Sequence, residues 1–137
     1  MRARISGLRV LHSRARLYRE LFPDATEAQS AAEAERFPDV VHPLVRIHPE
    51  SGRRGLYLGG EWGSEILGLP PGEGRALFAE LLAHMTRPEF VYEHHWQPGD
   101  VLMSDNRCSL HRATEWDEMR YRRRLHRIIL LDSIRPE

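Results

Sequence analysis

The sequence predicts a mainly β fold of the α+β class, a jelly roll or related β-sandwich with helices at its edges. Three observations carry that expectation. Apolar and β-branched runs crowd the part of the chain after Pro38, turn signals separate them at short spacing, and helical periodicity marks residues 5–22 and 72–86.

Taken in order, Ile5, Leu8, Leu11, Ala15, Leu17, Leu21 and Phe22 fall at roughly helical spacing with arginines between them, which predicts one surface helix over 5–22. Residues 23–36, bounded by Pro23 and Pro38, are rich in Ala and Glu and poor in large apolar groups. Such a segment can be helical in part but has little to bury, so a mobile lid or insert is expected over about 23–38. Residues 40–47 are β-branched, and Ser51-Gly52-Arg53-Arg54-Gly55 reads as a turn into Leu56-Tyr57-Leu58, predicting a strand pair. Ala76, Leu77, Leu81, Leu82 and Met85 share one face of a helix over 72–86, which Pro88 stops. Residues 90–96, 101–103 and 125–131 are further strand candidates, the first two separated by Gln97-Pro98-Gly99-Asp100. About five or six strands are thus expected, against about eight in a double-sheet jelly roll, so a sheet is left open or part of the domain is absent.

Composition narrows the function classes. A chain of 137 residues suffices for one domain, and 20 Lys plus Arg balance 20 Asp plus Glu, so no strongly charged surface recruits nucleic acid or an anionic membrane. Cys108 is the sole cysteine, which excludes an intramolecular disulfide and a cysteine-based zinc site and fits a reducing cytoplasm. No apolar run approaches a membrane span, and residues 1–8 lack the apolar core of a secretion signal.

Three stretches carry chemistry. The first is the histidine-dense segment His42-Pro43-Leu44-Val45-Arg46-Ile47-His48-Pro49-Glu50-Ser51-Gly52-Arg53, read as a turn between strands. The second runs from Trp96 to Arg107 and ends in Ser104-Asp105-Asn106-Arg107; the third is His111 followed by 122–127. Neutral imidazole suits Fe, Zn, Cu or Ni, so His111 is either a metal ligand or a hydrogen-bonded structural histidine. Arg123, Leu125 and Arg127 alternate along a predicted strand, so both guanidiniums point to one face. There they suit carboxylate or phosphate partners, or else form a solvated basic edge.

Together, His42-Pro43-Leu44-Val45-Arg46, His48-Pro49-Glu50-Ser51-Gly52-Arg53, Trp96 with Pro98-Gly99-Asp100, Asp105-Asn106-Arg107 leading to His111, and Arg123 with Arg127 resemble the C-terminal half of a TauD/TfdA family dioxygenase. The resemblance implies an incomplete double-stranded β-helix lacking its N-terminal strands, with Fe(II) and 2-oxoglutarate as cofactors. It implies hydroxylation of a small carboxylate or sulfonate with release of succinate and CO2. By the same resemblance His111 is a metal ligand, Arg123 binds 2-oxoglutarate and Arg127 binds the substrate's acidic group, while Asp105 and Asn106 shape the turn that aims His111. Arg122 or Arg124 stands as an alternative to Arg123, because the interval from His111 is about one residue longer than is usual in the family. Ser104 replaces the Trp that often opens the family's Asp-Asn-Arg turn. The family's His-x-Asp or His-x-Glu ligand motif has no counterpart, so the resemblance implies a fragment. Its expected partners are a small anionic organic substrate and O2, not nucleic acid or membrane, with homo-oligomerisation left open. The competing reading is a non-catalytic anion-binding or assembly module derived from the same fold.

Overall fold

The computed structural model describes residues 2–130. Its helices are α1 (Arg2–Ile5), α2 (Arg14–Leu21), α3 (Glu27–Arg36) and α4 (Pro71–Met85). Its strands are β1 (Arg9–His12), β2 (Val40–Pro43), β3 (Val45–Ile47), β4 (Arg54–Leu56) and β5 (Ser64–Leu67). They form two small antiparallel sheets, one ordered β2-β1-β5 and the other the β3-β4 hairpin.

The helix expected over 5–22 is instead a helical turn, a strand and a helix. Gly7, at φ +82°, takes the left-handed conformation that ends α1. Val10 pairs with His42 on one side and Ile66 on the other, so β1 is the central strand and Val10 is fully buried. Pairing on both edges overrides a periodicity that mimicked a helix. Ser13 then caps α2 by accepting from the Arg16 backbone N–H at 3.2 Å.

Residues 40–47 likewise split. β2 joins β1, Leu44 turns fully into the core, and β3 pairs with β4 in the register Val45↔Leu56, Arg46↔Gly55 and Ile47↔Arg54. Part of the 23–36 segment forms α3, begun by a reciprocal cap in which Thr26 Oγ1 accepts from Gln29 N–H and Gln29 Oε1 accepts from Thr26 N–H. An ion pair between Arg14 and Glu33 at 3.4 Å links α2 to α3.

α4 matches the helix expected over 72–86. Pro71 stands at its first turn, and Gly74, Leu77, Phe78 and Leu81 are buried, with Leu82 and Met85 half-buried. Phe78 takes the inward position expected of Ala76, which is exposed. The core gathers Ile5, Val10, Leu44, Leu58, Ile66, Leu77, Phe78 and Leu81, between the three-stranded sheet, the hairpin side and α4.

The expected strands over 90–96, 101–103 and 125–131 do not form among the described residues, and Leu131 lies outside them. A 3-10 turn occupies Pro88–Phe90, and beyond it the described backbone holds only turns and irregular structure. β-branched and aromatic residues favour a strand only where a neighbour supplies ladder partners, and the described residues place none beside these segments. No helix among the described residues is long and apolar enough to cross a membrane.

Candidate functional site

The most connected polar cluster joins the β3-β4 hairpin to the turn that precedes His111. His48 follows β3, where its backbone closes the hairpin: His48 N–H donates to Arg53 O and Gly52 N–H to His48 O, both at 2.8 Å. Gly52, at φ +66°, permits that tight return. The Ser51 backbone N–H donates to His48 Nδ1 at 3.2 Å, so the proton of a neutral ring sits on Nε2, which donates to Asp105 Oδ2 at 3.0 Å.

Asp105 organises its own turn. Its Oδ1 accepts from Arg107 N–H at 2.8 Å, and its carbonyl accepts from the Ser109 backbone N–H at 3.1 Å and the Ser109 hydroxyl at 2.6 Å. The Arg107 guanidinium grips both carboxylate oxygens, with Nε 3.0 Å from each and Nη2 2.7 Å from Oδ2, and reaches Glu50 at 3.1 Å. Hydrogen bonds from the Arg107 side chain, then His48, then the Arg107 backbone hold the Asp105 carboxyl well below the usual carboxylate range. The same partnership with Asp105 raises Arg107 further above its ordinary value.

A metal would find ligand atoms of His48, Asp105 and Cys108 within 4.8 Å of one another. The guanidinium already seated on both Asp105 oxygens opposes a second cation there. The cluster is therefore an ion-pair network before it is a metal site.

A second cluster sits on the sheet. The register places His12 opposite Ser64 and His42 opposite Val10, so His12, His42 and Tyr57 meet with ring centroids 5.2–5.6 Å apart. His12 Nδ1 lies 3.2 Å from Ser64 Oγ, and its buried Nε2 has no hydrogen-bond partner. Gly59, at φ +75°, leaves room for the ring: a Cβ there would stand 2.6 Å from Ser64 Oγ and 2.8 Å from His12 Nδ1. Burial first, then the nearby charges of His42 and Arg46, lowers the His12 pKa; burial, Arg46 and Arg9 lower that of His42. The sequence pattern did not bring this cluster together, because His42 lies in the expected strand over 40–47 and stands in β2, whereas His12 was expected in a helix and stands in β1. Its one legible signal was the histidine density of 42–48.

Of the residues expected to act, Asp105 is half-buried in the hairpin network and Asn106 is exposed beside it. His111, Arg123 and Arg127 are exposed in the irregular stretch and join neither cluster. Without a strand over 123–127, the alternation that aligned the two arginines does not operate here. An open groove of about 460 Å³ lies elsewhere, among Arg16, Trp62, Glu65, Arg75 and Phe78, and is lined by none of them.

Residues 1–129 match the family model described as "Taurine catabolism dioxygenase TauD, TfdA family". The chain is 49% identical over 104 residues to the alpha-ketoglutarate-dependent 2,4-dichlorophenoxyacetate dioxygenase of Cupriavidus pinatubonensis, covering 76% of this chain and 36% of that protein. It is 37% identical over 109 residues to the alpha-ketoglutarate-dependent sulfate ester dioxygenase of Pseudomonas putida, covering 77% and 36%. The crystal structure of AAD-2 in complex with Mn(II) and N-oxalylglycine superposes with a TM-score of 0.57 at 35% identity, over 70% of this chain and 36% of that one. The chain thus spans about a third of the length of these relatives.

Proposed function

Because this chain belongs to the TauD, TfdA family of dioxygenases, we propose that it forms part of an Fe(II)- and 2-oxoglutarate-dependent dioxygenase. Its reaction is the hydroxylation of a small carboxylate or sulfonate with O2, releasing succinate and CO2. The observation that carries this reading is the 49% identity over 104 residues to an alpha-ketoglutarate-dependent dioxygenase. Likeness to both a phenoxyacetate and a sulfate ester dioxygenase supports an anionic organic substrate.

In this reading His111 is one iron ligand, Arg123 pairs with 2-oxoglutarate and Arg127 with the substrate's acidic group. Guanidinium suits both anions, because its planar fork grips a carboxylate through two parallel hydrogen bonds. Asp105 and Asn106 shape the turn before His111. The fold is a jelly roll of the double-stranded β-helix kind, residues 23–38 serve as a mobile insert or lid, and the enzyme works in the cytoplasm.

The described residues do not by themselves form a facial site of two histidines and one carboxylate. Their one group of three close potential ligands is His48, Asp105 and Cys108, which excludes His111. Iron, where the remaining ligands are supplied, furnishes the oxidation; this chain's share is charge complementarity and positioning.

The test is an anaerobic titration of the purified chain with Fe(II) and 2-oxoglutarate, following the weak visible charge-transfer band and repeating it with His111→Ala. A band that His111→Ala abolishes supports His111 as a ligand in a metal site that this chain builds, its other ligands supplied for instance by a second copy. A band indifferent to His111 overturns that assignment, whereas a folded chain that yields no band is not an oxygenase by itself and favours a non-catalytic anion-binding or assembly module.

A further inference from the structure

We infer that His48 is a positioning residue, a latch that holds the 105–109 turn, and with it the backbone leading to His111, against the β3-β4 hairpin. Among the described residues, hydrogen bonds that reach back from beyond residue 91 to residues before 60 run through Asp105 and Arg107. Their partners are His48 and Glu50, 57 positions earlier in the chain in each case.

The two contacts are unequal. The Glu50 side chain is 74% exposed, so its pairing with Arg107 is a surface ion pair of small net value. The His48 side chain is 14% exposed and that of Asp105 35%, so their bond is less open to competing water than the Glu50 contact. Arg107 grips Asp105 from two residues away and so stiffens the turn from within, while its tie to the hairpin is the exposed contact with Glu50.

His48 is itself held on three sides. Its backbone closes the hairpin at both N–H and C=O, and Ser51 N–H fixes the ring through Nδ1, so Nε2 can point only where the hairpin aims it. Asp105 passes that constraint on: its carbonyl accepts from Cys108 and Ser109 N–H at 3.2 and 3.1 Å, and the chain leaves this turn two residues before His111. A chain of hydrogen bonds thus runs from hairpin backbone to imidazole to carboxylate to turn backbone. The latch stands on these contacts alone, whereas its bearing on catalysis rests on the assignment of His111 as an iron ligand.

Nitrogen-resolved NMR of the imidazoles and amide hydrogen exchange in the full chain test the latch. At a pH where the His48 ring is neutral, it should be the Nε2–H tautomer, a signature that mere packing of the ring would not require. His48→Ala should speed exchange at Cys108 and Ser109 at least tenfold while Leu81 in α4 is unchanged, and His48→Gln, whose amide can still donate to Asp105, should restore protection. An Nδ1–H tautomer, or unchanged exchange at Cys108 and Ser109 in a folded His48→Ala, overturns it. If His48→Ala does not fold, the tautomer decides alone. Failure of the iron titration leaves these readouts untouched, so the two assignments fail separately.

Discussion

His12 shows how far one side chain's behaviour depends on contacts its own neighbours in sequence do not supply. The groups facing it are His42 from β2, Arg46 from β3, Tyr57 and Ser64, with Arg9 beside His42, and among the described residues no carboxylate shifts either histidine. Both imidazoles are held below the ordinary histidine value of 6.5, so the neutral forms are favoured in the folded chain. Between the folded values and 6.5 the unfolded chain binds more protons, and stability rises with pH through that window. The contribution is complete above 6.5 and is lost as pH falls below it. Chemical denaturation at pH 7.5 and 5.0 should therefore show a stability loss on acidification that is smaller in His12→Leu. An identical loss in both proteins would mean that His12 is not the responsible group. Beyond the histidine density of 42–48, none of this was legible in the sequence, because the cluster arises from register: His12 meets Ser64, and His42 meets Val10, only once β1 has found β2 and β5. Asp105, by contrast, was read as a turn-shaping residue from the Asp-Asn-Arg pattern, and the structure adds the partner, His48, that sequence distance hid.

The helices differ in what holds them. α4 sends Leu77, Phe78 and Leu81 into the core, whereas α3 buries only Ser30 and depends on its cap. Leu77→Ala should cost about 2–5 kcal/mol, the range for removing most of a fully buried leucine. Thr26→Ala should cost about 1 kcal/mol, the usual value of an N-cap. Denaturant midpoints should rank Leu77→Ala well below Thr26→Ala, and the reverse order would mean that α3 carries the fold. The same contrast explains which elements could be read in advance. α4 announced itself because four of its apolar residues, Leu77, Leu81, Leu82 and Met85, repeat at helical spacing over a length that a strand would not reach. β1 did not, since Ile5, Leu8 and Leu11 repeat at three and only Gly7 hints at a break. β5 went unread because Ser64-Glu65-Ile66-Leu67 buries a single residue, Ile66, and its strand character comes from pairing with β1.

Across the whole molecule, burial is lopsided. Among the described residues, every buried hydrophobic lies between Ile5 and Leu81, while those beyond Phe90 expose a series of large apolar side chains, Val101 at 91% and Ile128 at 86% among them. A soluble monomer rarely leaves so much apolar chain uncovered, and unpaired extended segments of this kind invite association. Among the described residues, the expected strands 90–96, 101–103 and 125–130 carry the right side chains but lack neighbours, and a solved relative that superposes on this chain is about twice as long, since 70% of this chain covers 36% of it. Strand propensity was thus legible from composition, whereas strand formation depends on partners that no local pattern reports. The consequence is measurable in the chain as it stands. It should bind an apolar fluorescent dye and associate as concentration rises, and Val101→Lys with Ile128→Lys should lower both. Because neither side chain is packed, the thermal midpoint should stay within the range of surface substitutions, about ±0.5 kcal/mol. A midpoint that falls well beyond this would mean that Val101 and Ile128 are already covered, with the last strands of the sheet formed by association between copies of the chain.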